Sequence, residues 1–538
     1  MILLTLALIL CPYAPAVAAL SNQTPDAPEA YRAITHLHTS FSHDARFCSE
    51  PNLQLKNLKD RGYQVVLVSE HDYSTTGSAQ TDFFIPPFKN GGFEKGRLYP
   101  NQWRPIRLPR SSAEYLNVTD SSLYLEGNNS LHLRLKGNQG NFDLLSLAYR
   151  ETDKERVHDR AIAYNLLLSF SLYFPELMNS SDSVAYVSCS LGRRGDVRYN
   201  EVSNRLSFYF SEESWEANGV LDLSNNTRQV SIRLDQPFKE WRTYTVNITD
   251  YALNLFDGLE DVPTKYLFLK QMTVNLASRH GVAADIYADG FQISSGWASA
   301  EMYDWWRNDI ESYSDDVFLV IAGLETTLRP DIGAYGLETW QNFSRYELVE
   351  ERVKEIQKAD AISCIANPRA SNFTAVREGG GWGAELLEIY NTVHDSEPSS
   401  QVLKVWDQFL SRGVLIFGVV GFDSHGLQAI PGSQQPSVVS QPIYENLIIA
   451  RSLNRDQILS SLREGQLYVV RSHYAVRMVL SAGLNGPQQG RGVIFTSSET
   501  GAVLNVHLEN VPIGSQLVII QNGTRALTTE IQRDPFDW

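Results

Sequence analysis

Cysteine is scarce: the 538-residue chain has four. Cys11 lies in an N-terminal apolar stretch. Cys48, Cys189 and Cys364 are odd in number and scattered, which excludes a disulfide framework or zinc-knuckle spacing. Positive charge is also short. Lys and Arg number 46 against 62 Asp and Glu, giving a formal charge of −16, so no net counterion-release drive toward nucleic acid exists, though a local basic pocket stays open. After the first nineteen residues no apolar run is long enough to span a bilayer, and no fixed-period repeat or low-complexity tract stands out.

What remains is a globular composition, 43% apolar, with length for roughly three or four domains. Residues 1–19, "MILLTLALILCPYAPAVAA", form a short apolar run ending in small residues, the pattern of a secretory leader without the usual positive start. Leu10 before Cys11 speaks against a lipoprotein site. A secreted or extracytoplasmic protein is expected. Nine N-x-S/T sequons, beginning at Asn22, Asn117, Asn128, Asn179, Asn225, Asn247, Asn342, Asn372 and Asn522, would be glycosylation acceptors where that machinery exists.

Residues 20–79 read as strand, helix, strand: "YRAITHLHT", "EPNLQLKNLKDRG", then the continuous apolar strand "YQVVLVSEHD", of the kind buried in a parallel sheet. From 80 to 298 the pattern changes to short alternating segments such as "LHLRLKG", "RLSFYF" and "WRTYTVNITDY", punctuated by Gly, Asn and Asp, which predicts an antiparallel β-sandwich of jelly-roll type. The α/β rhythm resumes over 299–474, where "AEMYDWWRNDIESYSDD", "RYELVEERVKEIQKAD", "SQVLKVWDQFLSRG" and "NRDQILSSLREG" are helical and "VFLVIAGLETT", "AISCIANP" and "VLIFGVVGFDSHG" are strands. One α/β barrel interrupted by an inserted sandwich is the simplest account, since neither flank has enough strands alone. Residues 475–538 form a further short β segment, partial or very small.

Three of the eleven histidines, His36, His38 and His43, stand with Asp44 in "HLHTSFSHDA". On a strand His36 and His38 point the same way. Further metal-ligand types end the other α/β strands: His71 in "VSEHD", Glu325 in "AGLETT", Asn391 and His394 in "EIYNTVHD", Asp423 and His425 in "GFDSHG". An α/β barrel gathers the carboxyl ends of its strands around one pocket. Mixed imidazole and carboxylate donors suit Zn, Mn or Fe, and several carboxylates permit two ions.

In this order "HLHTSFSHDA", "VVLVSEHD", "VIAGLETT", "LLEIYN" and "GFDSHG" resemble the PHP (polymerase and histidinol phosphatase) superfamily, with "SHDA" and "LREGQLYVV" most like its secreted carbaryl-hydrolase-like branch. The resemblance covers roughly 31–75 and 298–472 and implies a distorted seven-stranded β/α barrel. It also implies metal ligands at His36, His38, Asp44, His71, Glu325, Asp423 and His425, with Glu325 bridging two divalent ions. Asp423, His425 and Glu325 are the implied catalytic residues. Two departures stand out: Asn367 in "IANPRA" replaces the histidine of the HP element, and Glu70 replaces the aspartate of TDH. An amide oxygen is a poor ligand for a transition metal, so one position, a third, is expected to be weak or empty, with His394 either a partial substitute or a loop histidine near the rim; Asn367, Asn391 and His394 are read as possible metal or supporting residues.

The implied activity is metal-dependent hydrolysis of a phosphomonoester or phosphodiester, small or glycan-linked. Arg369 and Arg471 are candidate phosphate clamps, the alternative being ordinary surface arginines. Ester, amide or carbamate hydrolysis on the same site is the runner-up, and a non-catalytic glycan-binding protein with a degenerate metal site is a third reading. His43 is read as an exposed or supporting residue, and Cys48 and Cys364 as inert core thiols. In the insert, "AADIYADGFQIS", with Asp289 before an apolar strand residue, resembles the closing strands of carbohydrate-binding-module-like jelly rolls. Trp215 and Trp241 there are either sugar-stacking rings or core.

Overall fold

The structure is a computed structural model. It describes residues 4–9, 28–42, 50–72, 93, 103–109, 114–125, 127–140, 142–149, 160–161, 165–178, 182–192, 203–210, 227–256, 267–326, 329–368, 373–391, 399–424, 444–471, 477–483, 503–511, 513–521 and 524–537. The chain divides into two compact units, Met1–Ala79 with Tyr303–Trp538, and Gln80–Met302.

In the first unit the strands are β1 (Glu29–Leu37), β2 (Val65–Val68) continued by β3 (Glu70–Asp72), β4 (Leu319–Ile321) continued by β5 (Gly323–Thr326), β6 (Ile332–Tyr335), β7 (Ile362–Ile365), β8 (Leu386–Asn391), β9 (Phe417–Ser424), β10 (Tyr444–Ala450) and β11 (Leu467–Arg471). Their order is β4-β2-β1-β9-β8-β7-β6-β5-β3, with β10 on β1 and β11 on β10. The sheet is curled, because β5 continues β4 and β3 continues β2, so the path ends on the two segments where it began. Pairing along the path is parallel except at β6, which runs antiparallel to β5 and β7.

The stretches read as helical are helices: α1 (Pro51–Asp60), α2 (Ser299–Glu311), α3 (Val349–Lys358), α4 (Ser400–Ser411) and α5 (Arg455–Arg463). Proline opens α1, where its missing N–H costs nothing, and the Asn454 side chain caps α5 by accepting from the Gln457 N–H at 2.9 Å. Alternate residues of the strands, among them Ala33, Val65, Leu67, Ile321, Ile362, Leu386 and Val419, share one apolar core with Ile458, Leu459 and Leu462 of α5. Toward the carboxyl ends of the same strands the buried residues become polar: His36, Glu70, Glu325, Glu388, Asn391 and Asp423. That change of character sets where chemistry is located.

The second unit holds two sheets. One has five strands in the order Trp241–Asn247, Leu166–Tyr173, Ala283–Ser295, Ser130–Lys136, Glu114–Asp120, all antiparallel. The other runs Thr227–Arg233, Ser203–Phe210, Ser183–Gly192, Phe268–Ser278, Asp143–Tyr149, Trp103–Arg107, with Arg160–Ala161 beside Phe268–Ser278. Phe170, Tyr244 and Phe291 of the first sheet pack on Phe210 and Trp103 of the second, with centroid separations of 5.0–6.4 Å, so the two sheets enclose one aromatic core. The sandwich departs from the expected antiparallel pattern at one place, where Ser203–Phe210 and Thr227–Arg233 are parallel.

The expectation of an α/β chain needs correction. Among the described residues the chain is mostly β, because the insert contributes one helix, Ile248–Leu255, and the stretch after β11 folds as strands. Arg477–Gly483, Val503–Glu509 and Phe536–Asp537 form one small sheet. Gln516–Gln521 and Thr524–Glu530 form another with Leu4–Ile9, a strand lying inside the segment read as a leader.

Gly323 begins β5, where the sheet path returns on itself. A Cβ there would sit 2.6 Å from the Ala334 carbonyl oxygen and 3.0 Å from that of Val68, both backbone. Gly323→Ala is therefore expected to destabilise the protein by about 1–3 kcal/mol through overpacking, measured by urea unfolding.

Candidate metal centre

Three of the polar strand ends adopt left-handed backbone. His36 has φ 60°, Asn367 47° and Asp423 48°. Non-glycine residues occupy this region at a cost, and it persists where surroundings over-determine it. At His36 the pairing of β1 slips against both neighbours, between Thr35 and Leu37 on the β9 side and between Ile34 and Leu37 on the β2 side. His36 and His38 converge through this bulge, their Nε2 atoms 3.0 Å apart. Simple strand alternation is not what aligns them.

Each imidazole is fixed through its other nitrogen. His36 Nδ1 meets Glu388 Oε1 at 2.5 Å, and His38 Nδ1 meets Ser42 Oγ at 2.9 Å. The Ser42 hydroxyl donates in turn to Glu70, which also accepts from the Thr39 hydroxyl and, at 2.9 Å, from the Thr39 N–H. Partners of this kind orient the ring and set its tautomer, so that Nε2 is the nitrogen turned toward Glu325 and Asp423. Glu70 is thus a support behind His38, and burial raises its pKa.

Glu325, 1% exposed, lies among the histidines: its oxygens are 3.2 Å from His36 Nε2, 3.4 Å from His38 Nε2 and 3.1 Å from His71 Nδ1. Asp423 Oδ1 is 3.6 Å from His36 Nε2 and 3.4 Å from His38 Nε2. Two ligand groups result, His36 with His38 and Asp423, and His38 with His71 and Glu325, the donor atoms of each lying within 4.8 Å of one another. Burial would raise the Glu325 pKa, yet His36 and then His71 hold it well below the carboxylate range. For His36, burial lowers the pKa, but Glu388, Glu325 and Asp423 together raise it well above the usual imidazole value.

The residues fit a divalent metal. Neither Glu325 oxygen accepts a well-formed hydrogen bond among the described residues, although both are shielded from water. An ionised carboxylate without donors is costly to bury, and a cation between it and the facing imidazoles removes that cost. The donor set, imidazole nitrogen with carboxylate oxygen, suits Zn, Mn or Fe.

Asn367 is 6% exposed and is hydrogen-bonded to two other residues of the site. Its backbone N–H donates to Glu388 Oε2 at 2.9 Å, and its side-chain oxygen accepts from the Asn391 amide. That amide also donates to Asp423 Oδ2 at 3.1 Å, so Asn391 orients Asp423. Asp44, His425, His394, Arg369, His43 and Cys48 lie outside the described residues. Arg471 ends β11 opposite Tyr444, its side chain outside the described set. Cys364 is buried in the core of the curled sheet, its thiol pushed up by burial, and Cys189 is buried likewise with a pKa of about 12.

Sequence reasoning missed three residues. Glu388, fully buried in the apolar run "LLEIYN", was legible as a charge with no reason to sit in a core strand. Asp331, before β6, is raised to about 7, chiefly by burial and then by Glu325. Arg352 of α3 reads as a surface residue but is 0% exposed, donating to Thr326 Oγ1 at 2.9 Å and the Pro330 carbonyl at 3.3 Å beside Glu325.

No family model matches the chain, and no curated protein matches it. Solved structures similar to part of it include one described as carbohydrate-binding modules of the β-sandwich superfamily (12% identity, 38% of this chain and 61% of that chain, TM-score 0.23). Others are a family 11 carbohydrate-binding module from Clostridium thermocellum (8%, 37% and 91%, TM-score 0.21) and a family 12 xyloglucanase from Bacillus licheniformis (7%, 37% and 97%, TM-score 0.28). The chain spans about three fifths of the first. At these TM-scores the likenesses carry no argument about what this chain does.

A Cβ built on Gly421 would overlap the Glu388 carboxylate. Glu388→Gln, which keeps shape but removes the charge held against His36, is expected to weaken Mn or Zn affinity about 10–100-fold, read by titration calorimetry, and to lower the thermal unfolding temperature of the metal-free protein, because His36 loses its buried partner. Metal affinity should also rise with pH. The raised His36 pKa means that its proton competes with metal at pH values where an ordinary imidazole is already neutral, so affinity falls as pH drops through that raised value. Calorimetry across the neutral range checks the slope and the proton release.

Proposed function

We propose that the first unit is a metal-dependent hydrolase of the PHP type, its curled sheet the distorted seven-stranded barrel of that superfamily, acting on phosphate esters. The observation that carries this reading is the buried Glu325 carboxylate facing three imidazoles at 3.1–3.4 Å while accepting no hydrogen bond of good geometry among the described residues. Supporting it, the seven strand positions β1, β2/β3, β4/β5, β6, β7, β8 and β9 form one ring of pairings. His36, His38, His71, Glu325 and Asp423 would hold two divalent ions, which supply Lewis acidity and a water acidic enough to act near neutral pH.

The chain's own residues do the rest. Glu388 holds His36, and Ser42 with Glu70 holds His38, so neither ring turns away. Asn391 fixes one oxygen of Asp423 and leaves the other toward the histidines. His36, His38, Glu325 and Asp423 are all at most 2% exposed, so their electrostatic interactions act in a low dielectric. Asp331, its carboxyl raised to about 7 chiefly by burial and then by Glu325, is a candidate for proton transfer to or from a substrate. Export of the protein and a glycan-linked substrate remain parts of the proposal.

The test is hydrolysis of bis(p-nitrophenyl) phosphate by purified protein, before and after chelation and with Mn or Zn restored. Turnover abolished by chelation and recovered with metal is expected, and His36→Ala and Asp423→Ala should each lose metal and at least about 100-fold in rate together, as expected where the metal supplies the nucleophile. Full activity in both variants contradicts the proposal. Turnover of p-nitrophenyl acetate but of no phosphate ester would assign the same site to acyl substrates instead.

A further inference from the structure

Helix α3 turns one cation inward. Its lysines stay at the surface and pair with glutamates of the same helix, Lys354 with Glu350 at 2.8 Å and Lys358 with Glu355 at 2.6 Å. Arg352 instead shares the buried face with Val353 and Ile356 and is 0% exposed. A guanidinium keeps its charge at any pH a folded protein meets, and taking it out of water costs several kcal/mol. Its Nη1 donates to Thr326 Oγ1 at 2.9 Å and to the Pro330 carbonyl at 3.3 Å, two neutral oxygens.

Those two oxygens bracket one connection. Thr326 is the last residue of β5 and follows Glu325 directly, whereas Pro330 precedes Asp331 and the start of β6. A single guanidinium nitrogen therefore ties together both ends of the link between two antiparallel strands. Two further bonds close the frame: the Ile332 N–H donates to Thr326 Oγ1 at 3.2 Å, and the Ala366 N–H to the Asp331 carbonyl at 3.0 Å. Glu325 itself stands opposite His71 on one side and Gly333 on the other. The braced connection thus runs from the carboxylate that faces the imidazoles to the carboxyl raised toward neutrality.

We propose that Arg352 is a positioning residue of the metal centre, acting through the 326–330 connection to hold Glu325 and Asp331 in place. Packing alone does not account for it. An apolar side chain of similar volume would fill the same place on α3 with no charge to desolvate, and exchanges of that kind are often neutral or stabilising. What an apolar residue cannot do is bridge the Thr326 hydroxyl and the Pro330 carbonyl. Reacting groups displaced by about 1 Å lose about 100-fold in rate, so a brace two residues from the reacting carboxylates has a kinetic effect out of proportion to its stability effect. The kinetic part of this inference rests on the hydrolase reading, and the metal-binding part does not.

The experiment compares the full-length chain with Arg352→Met, which keeps a long side chain but removes the charge and both hydrogen bonds. Thermal unfolding of the metal-free protein, Mn binding by titration calorimetry, and kcat and KM for bis(p-nitrophenyl) phosphate at saturating Mn are measured on each. The variant should unfold at or above the temperature of the parent, bind Mn about tenfold more weakly, and lose about 10–100-fold in kcat with KM nearly unchanged. Arg352→Lys, which keeps the charge and one donor nitrogen, should fall between the two, and it carries the test if Arg352→Met does not fold. A folded variant with parental Mn affinity and kcat, its unfolding temperature alone lowered, would overturn the proposal and make Arg352 a stabilising residue only. If the parent turns over no ester, the hydrolase reading fails and Mn affinity alone decides on Arg352: weakened binding supports the brace, and parental binding overturns it.

Discussion

Glu325 places a buried carboxylate in the first unit within 3.1–3.4 Å of three imidazoles and, among the described residues, with no donor of good geometry on either oxygen. Desolvation of such a group is expensive, and His36 and His71 are the neighbours that supply positive charge there. His36 gains a proton at higher pH than an ordinary histidine because Glu388, Glu325 and Asp423 surround it. A proton and a divalent ion are alternative solutions to the same electrostatic problem. A divalent ion would be the better one, because Glu325 and the facing imidazoles could hold it together.

The fold supplies the rigidity this requires. Parallel strands bring their carboxyl ends together, and α5 fills the opposite end of the curled sheet with Ile458, Leu459 and Leu462. Left-handed backbone at His36, Asn367 and Asp423 turns the chain sharply where the strands end. Strain of about 1–3 kcal/mol at each is tolerated because the neighbouring strands and hydrogen bonds leave no alternative. Glu388 ties two of these turns together, bonding His36 Nδ1 and the Asn367 N–H. Gly421 leaves the space that its carboxylate occupies. The second unit solves a different problem with a different device, a sandwich whose inner aromatics make the core and whose outer ones are left partly exposed.

Much of the site was legible because metal ligands are chemically conspicuous. His36, His38, His71, Glu325 and Asp423 could be picked out as imidazoles and carboxylates that end apolar strands, and the structure brings these five together. The partners behind them were harder to see. Glu388 and Arg352 are buried only because tertiary contacts pair them, and sequence periodicity has no access to pairing between distant segments. Asn367 stood out in sequence as a departure from the ligand pattern, but its hydrogen bond to Asn391, which in turn donates to Asp423, depends on tertiary contacts. The strands β6 and β10 were overlooked because "IGAY" and "YENLIIA" are too short or too irregular to show a period. A row of rings across the five-stranded sheet of the insert is invisible in sequence, since Trp241, Tyr173, Tyr287 and His132 become neighbours only through strand register.

The central claim is that cations sit between Glu325 and the three histidines. Anomalous diffraction from crystals of the protein grown with Mn, recorded on both sides of the metal edge, tests it most directly. The account predicts peaks within coordination distance of His36, His38 and Asp423 and of His38, His71 and Glu325. A map with no anomalous density there, in crystals of protein that retains the His36 to Glu388 contact, would contradict it.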